Sequence, residues 1–259
     1  MKDFLLNTSF GIGVITFVLI IIVFGLIIYL AFHYLFRAYV KDDNKKIGDF
    51  FFKFAAGLLA FILSISFANQ RVNYYKVKTS IETEASKLVD VHLDLNLYDT
   101  EASHLIQKKI RDYIVYIAET GWVSFENDPF TSEPIIMCRD IYRDIIYLEI
   151  ETPQHESLKP KMINNMDGAI TALQSKIYSS GLDSTHLIYT SVFGLIVLMM
   201  MFSVFPPDLI TVGFLALYIA FIAVVLYFIS MMGNPLKGPL QLDPGPFILL
   251  KETIETQFQ

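Results

Sequence analysis

From Phe10 to Phe36 the chain runs for 27 residues without a formal charge. A stretch so long and so apolar has two possible homes, a lipid bilayer or the interior of a large soluble core. Similar runs recur from Phe54 to Ala68, from Leu187 to Phe205 and from Leu209 to Met232. The second could begin at Phe50 if Lys53 lifts its ammonium to the interface. A membrane helix needs about 17–25 such residues. The rest of a 259-residue chain could not cover four such helices, so the soluble alternative fails. Composition agrees: 54% of residues are hydrophobic and only 18% are charged, against about 25% charged in soluble domains. The first run exceeds the apolar core of a cleaved leader and lacks a small-x-small cleavage site, so it reads as a span. Tyr29, Phe32, Tyr34, Phe36, Tyr227 and Phe228 lie near run ends, where aromatic belts form.

The expected fold is an all-α membrane protein with four transmembrane helices in two hairpins and a helical extramembrane domain between spans two and three. Residues 1–69 would form the first hairpin, with spans at about 10–36 and 51–68. Residues 70–183 would form the extramembrane domain, and 184–232 the second hairpin, with spans at about 187–205 and 209–232. Residues 233–259 would form a strap, because the prolines and glycines from Gly233 to Pro246 forbid a continuous helix. A short terminal turn or helix is expected over Glu252 to Phe258.

The domain between the hairpins has helical periodicity. Val77, Ile81, Ala85, Leu88, Val91 and Leu95 recur at three and four, and so do Leu105, Ile106, Ile110, Tyr113, Ile114 and Ile117. Ile141, Ile145 and Leu148 form a shorter set, and Met162, Met166, Ile170, Leu173 and Ile177 a fourth. Breaks are expected at Asp99–Thr100, Asn127–Asp128–Pro129, Thr152–Pro153 and Ser180–Gly181. Asp99 or Thr100, Ser157, and Asp183 or Ser184 are candidate N-caps. Apolar spacing persists past Ala68 to Leu95, so the second span should continue as one helix from Phe51 to Tyr98, about 70 Å long.

From Asn69 to Asp183 there are 12 Lys and Arg against 18 Asp and Glu, so the net charge of −6 resides in this block. That excludes a basic nucleic-acid footprint. It fits a solvated acidic surface or a vestibule that concentrates cations. No Walker A loop, His-Glu-x-x-His motif or nucleophile constellation is present, so no catalytic residue, metal site or cofactor is expected and the chain does not read as an enzyme. The five histidines are scattered and read as surface or interfacial residues. Gly11 and Gly13 lie inside the first span and read as a packing surface. The single cysteine, Cys138, reads as a small buried hydrophobe in a reducing compartment. That favours a plasma (inner) membrane location with the large helical domain in the cytoplasm.

The spans hold no Asp, Glu or Arg in their interiors. Ion-coupled carriers and pumps need such groups, whereas passive conduction through an apolar constriction does not. The second span is the best pore candidate. Phe54, Leu58, Phe61 and Ile65 share one helical face, while Ala56, Gly57, Ala60 and Ser64 offer thin surfaces for close packing.

Three stretches together resemble a known family. They are Gly48 to Phe67 (GDFFFKFAAGLLAFILSISF), Ile81 to Leu88 (IETEASKL) and Asn234 to Phe247 (NPLKGPLQLDPGPF). In order and spacing they are similar to the bestrophin-like domain family of bacterial membrane proteins, distantly related to bestrophin channels, over about Phe50 to Phe258. The resemblance implies a homo-oligomeric ion channel, pentameric in bestrophins, whose second helix lines the pore and forms an apolar neck. By position the neck residues would be Phe54, Leu58, Phe61 and Ile65. Asn234 and Pro235 match the start of the Asn-Pro-Phe-Gly segment that follows the last bestrophin span, and Asp243 is the acidic residue nearby. The acidic run that binds calcium in bestrophins is missing, so calcium gating is not carried over. The implied partners are the bilayer, further copies of the chain and small ions. The alternative is a non-conducting membrane scaffold or sensor whose helical domain binds a protein.

Overall fold

The computed structural model describes residues 6, 8–36, 42–127, 132–180 and 185–257. Among them the fold is all-helical, without a strand. The turn at Asp128 and Pro129, the break at Gly181 and the caps at Asp183 and Ser184 lie outside the described residues. In order the helices are α1 (Phe10–Phe36), α2 (Asp42–Tyr98), α3 (Glu101–Tyr116), α4 (Trp122–Asn127), α5 (Glu133–Tyr147), α6 (Pro153–Ser180), α7 (Thr185–Phe202), α8 (Leu209–Met232) and α9 (Gly245–Gln257), with a π-turn, Ile117–Gly121, between α3 and α4. α2 is unbroken over 57 residues and begins before Phe51. Three helices, α1, α2 and α8, are long and apolar enough to cross a membrane; α7 is apolar but shorter. The chain is a membrane protein.

The chain divides into two compact units. The first comprises residues 1–72, 183–234 and 238–240. Here the apolar helices pack through small residues, as helices do when lipid supplies no hydrophobic drive. Gly13 faces the Tyr227 ring and Gly25 faces Ile219, so α1 runs antiparallel to α8. Gly194 faces Leu59 and Gly48 faces Val204, so α2 runs antiparallel to α7. At one end, the Tyr29 hydroxyl donates to the Phe205 carbonyl at 3.1 Å and His33 Nδ1 donates to the Ser203 carbonyl at 2.8 Å. Asp208 caps α8 by accepting the Thr211 N–H at 2.8 Å. A Cβ on Gly25 would stand 2.8 Å from Ile219 Cδ1. Gly25→Leu is therefore expected to cost about 1–3 kcal/mol by overpacking, read as a lower melting temperature in detergent. Gly11 has open space around it, so only Gly13 of that pair serves packing.

The second unit comprises residues 73–182, 235–237 and 241–259 around its own apolar core. α2 ends where Asp99 turns left-handed at φ 50°. Thr100 then caps α3: its hydroxyl accepts the Ser103 N–H at 3.2 Å while Ser103 Oγ accepts the Thr100 N–H at 2.9 Å. α6 starts at Pro153, with Thr152 Oγ1 accepting the His155 N–H, so Thr152 replaces the expected cap Ser157. Proline at the first helical position loses no bond, which favours that start. For the same reason Pro246 does not prevent α9 from starting at Gly245, well before the expected Glu252. Two histidines expected at the surface, His92 and His155, are buried, and the His155 ring stacks on Tyr98 at 3.8 Å.

Candidate functional site

In the first unit α2 has two faces. Leu59, Leu63, Ser66 and Gln70 are buried. The proposed neck residues turn the other way: Phe54, Leu58, Phe61 and Ile65 are 66%, 51%, 62% and 46% exposed. Gly57, Ala60, Ser64 and Ala68 share that open side, and a Cβ on Gly57 would meet nothing within 4 Å. Of the thin residues of α2, Gly57, Ala60, Ser64 and Ala68 are thus exposed, whereas Ala56 packs on the core and Ser66 is buried. Ser64 Oγ satisfies itself on the Ala60 carbonyl at 2.8 Å. Beside this face a cleft of about 380 Å³ is lined by Ala60, Leu63, Ser64, Phe67, Tyr218 and Phe221, among others. Lys53, outside the apolar stretch, pairs with Asp49 at 2.6 Å.

The open faces of the other helices differ in kind. α1 presents Ile12, Ile15, Leu19, Val23 and Ile27; α8 presents Leu209, Ile210, Phe214, Leu217 and Phe221. Both are mainly large and apolar, as a lipid-facing surface is, with few small residues among them: Gly11 and Ala31 on α1 and Gly213 on α8. α2 alternates large rings with glycine, alanine and serine.

The strap residues hold local structure. Asn234 Nδ2 donates to the Ser230 carbonyl at 2.9 Å, which finishes α8. The Pro235 carbonyl accepts the Leu242 N–H at 2.7 Å, closing a loop. Asp243 Oδ1 accepts the Gly245 N–H at 3.0 Å, beside the start of α9. Among the described residues no group of three or more His, Cys, Asp or Glu side chains is placed to hold a metal ion.

Sequence reasoning missed one cluster. Glu84 of α2 and Lys176 of α6 are both fully buried and paired at 2.8 Å. The Tyr113 hydroxyl of α3 donates to the other Glu84 oxygen at 2.5 Å. Lys176 Nζ lies 4.5 Å from the Phe125 ring centre, 5.6 Å from Phe247 and 5.8 Å from Trp122. The Lys176 Nζ thus has the Glu84 carboxyl on one side and three aromatic rings around it. Burial pushes the Cys138 thiol up to about 12, with the Glu84 charge adding to it, and holds the Tyr113 phenol well above its ordinary 10. Both groups stay neutral in the fold but ionise near 9 and 10 once unfolded. Their contribution is complete below pH 9 and is lost as pH climbs towards 12. Chemical denaturation of the wild type should show that decline between pH 9 and 12, and a Tyr113→Phe, Cys138→Ala variant should show less of it.

A family model, the Bestrophin-like domain, matches residues 18–247. The chain belongs to the bestrophin-like family. No curated protein matches it. The bestrophin-like match begins inside α1, earlier than the expected Phe50, and ends short of the expected Phe258. Its last residue, Phe247, is the ring that closes the box on Lys176. The bestrophin-like domain therefore takes in the open face of α2, the strap as far as Phe247 and the whole buried cluster.

Proposed function

We propose that copies of this bestrophin-like chain assemble around a common axis into an ion channel, with the open face of α2 turned to that axis and Phe54, Leu58, Phe61 and Ile65 forming its apolar neck. The observation that carries the reading is the make-up of the open faces: α1 and α8 present mainly large apolar side chains, while α2 interleaves the exposed Phe54, Leu58, Phe61 and Ile65 with the exposed Gly57, Ala60, Ser64 and Ala68. Small residues let neighbouring helices approach closely, and rings narrow the gap they leave. Bestrophins are pentameric channels, which makes a pentamer the expected ring.

All four apolar helices cross the bilayer in this reading. Residues 73–182 and 241–259 share one unit, and the Trp122 indole of the first stretch donates to the Leu242 carbonyl of the second at 3.1 Å. The chain between them must return to the side it left. If α8 crosses, α7 crosses too, and its 18 residues reach about 27 Å. The second unit, with its one buried thiol, belongs on the cytoplasmic side. Neither the neck nor the strap asks for catalysis, and the chain acts by conduction rather than as an enzyme.

Purified protein in planar bilayers tests the reading. Discrete current steps are expected in symmetric salt, and bi-ionic reversal potentials then give the permeant ion. Silent bilayers, with insertion verified by protease protection, would contradict it.

A further inference from the structure

The π-turn Ile117–Gly121 shifts the register of the helix that follows it. Ile106, Ile110, Tyr113, Ile114 and Ile117 are buried on one face of α3 and its end. An uninterrupted α-helix would continue that face at positions 121 and 124, which are Gly121 and Ser124. The extra residue of the π-turn places Trp122 and Phe125 there instead, both buried. Gly121 is jammed into the turn, where a Cβ would lie 2.7 Å from Tyr116 Cε1.

What the shift delivers is the hold on the C-terminal helix. Trp122 donates to the Leu242 carbonyl at 3.1 Å, and Trp122 and Phe125 join Phe247 over Lys176. Glu119, within the π-turn, pairs with Lys251 of α9 at 2.6 Å. If the turn relaxed to α, Trp122 would swing by about 100°. Ser124 would turn to the core in place of Phe125, the indole would leave Leu242, and two of the three rings would leave Lys176, while Gly121 is buried in either register.

We propose that the π-turn is a two-register switch that clamps α9 onto the second unit in the π-register and releases it in the α-register. Release uncovers the Glu84–Lys176 pair and Cys138. The exposed ion pair Lys251–Glu119 is the outer fastening, and Phe247 is the bolt.

The chain's single cysteine reports opening, because its side chain is fully buried in the clamped state. Deletion of Thr120, an exposed residue of the turn, leaves Trp122 and Phe125 four and seven positions after Ile117, so a plain α-helix keeps them inward and the slipped register is removed. Full-length protein in nanodiscs lacking Thr120 should label with a maleimide at least about tenfold more slowly at Cys138. Amide exchange over residues 245–254 should slow by a similar factor. Lys251→Glu, a partly exposed change that leaves the core intact, should speed both readouts with no loss of far-ultraviolet helical signal. Equal rates in the deletion variant and the wild type, or faster rates in the deletion variant with helical content retained, would overturn the switch. A deletion variant that fails to fold shifts the decision to Lys251→Glu, where faster exchange confined to α9 together with faster Cys138 labelling supports the clamp and unchanged rates reject it. None of these readouts depends on ion conduction.

Discussion

Lys176→Met destabilises the protein by about 3–5 kcal/mol, because it leaves the fully buried Glu84 carboxyl without its partner. The penalty is the cost of stranding one partner, not the worth of the pair. Glu84→Gln removes the carboxylate partner of Lys176 and leaves one accepting oxygen where two had accepted, from Tyr113 and from Lys176. Both single variants should melt lower by on the order of 10 °C. The matched apolar variant, with Glu84→Leu, Lys176→Met and Tyr113→Phe together, should come back to within about 2 kcal/mol of wild type, since well-packed apolar groups can replace a buried ion pair at little loss. Melting curves of the four proteins in one detergent check this. A Lys176→Met protein as stable as wild type would mean that water reaches the pair.

The second large effect lies on α2. Phe61→Ala should raise the unitary current several-fold, because an apolar constriction gates by dewetting and a smaller side chain keeps the gap wet. Leu59 serves as the control two residues away. It is buried against the other helices of its unit, so Leu59→Ala should cost about 2–5 kcal/mol of stability while leaving the current per channel unchanged. Single-channel recording beside thermal melts separates the two. Equal unitary currents in Phe61→Ala and wild type would move the neck away from Phe61.

The helices of both units were legible where periodicity alone decides them. The bounds of α1 and α8 follow from uncharged runs ended by turn residues, and the continuation of α2 past the apolar stretch followed from Val77, Ile81, Leu88, Val91 and Leu95. The buried cluster left a trace that was passed over. Glu84 falls on the face of Ile81 and Leu88, and Lys176 beside Leu173 and Ile177, so each is a charge in an apolar phase. Nothing local said that the two faces meet 92 positions apart in the chain. The π-turn could not be read because Gly121 and Ser124 continue an α pattern plausibly, and only packing on Lys176 selects Trp122 and Phe125. The start of α9 was hidden by Pro244, Gly245 and Pro246, which look like breakers until the first helical turn is seen to need no N–H from Pro246.

In the proposed assembly the open face of α2 borders water inside the membrane. Cysteines introduced singly at positions 12 and 19 and from position 54 to 65, in a chain carrying Cys138→Ala and reconstituted in liposomes, can be challenged with a charged, membrane-impermeant thiol reagent. Positions 54, 58, 61 and 65 should react, with 59 and 63 silent. Uniform silence across the face, or reaction at 12 and 19 on α1 instead, would contradict the claim.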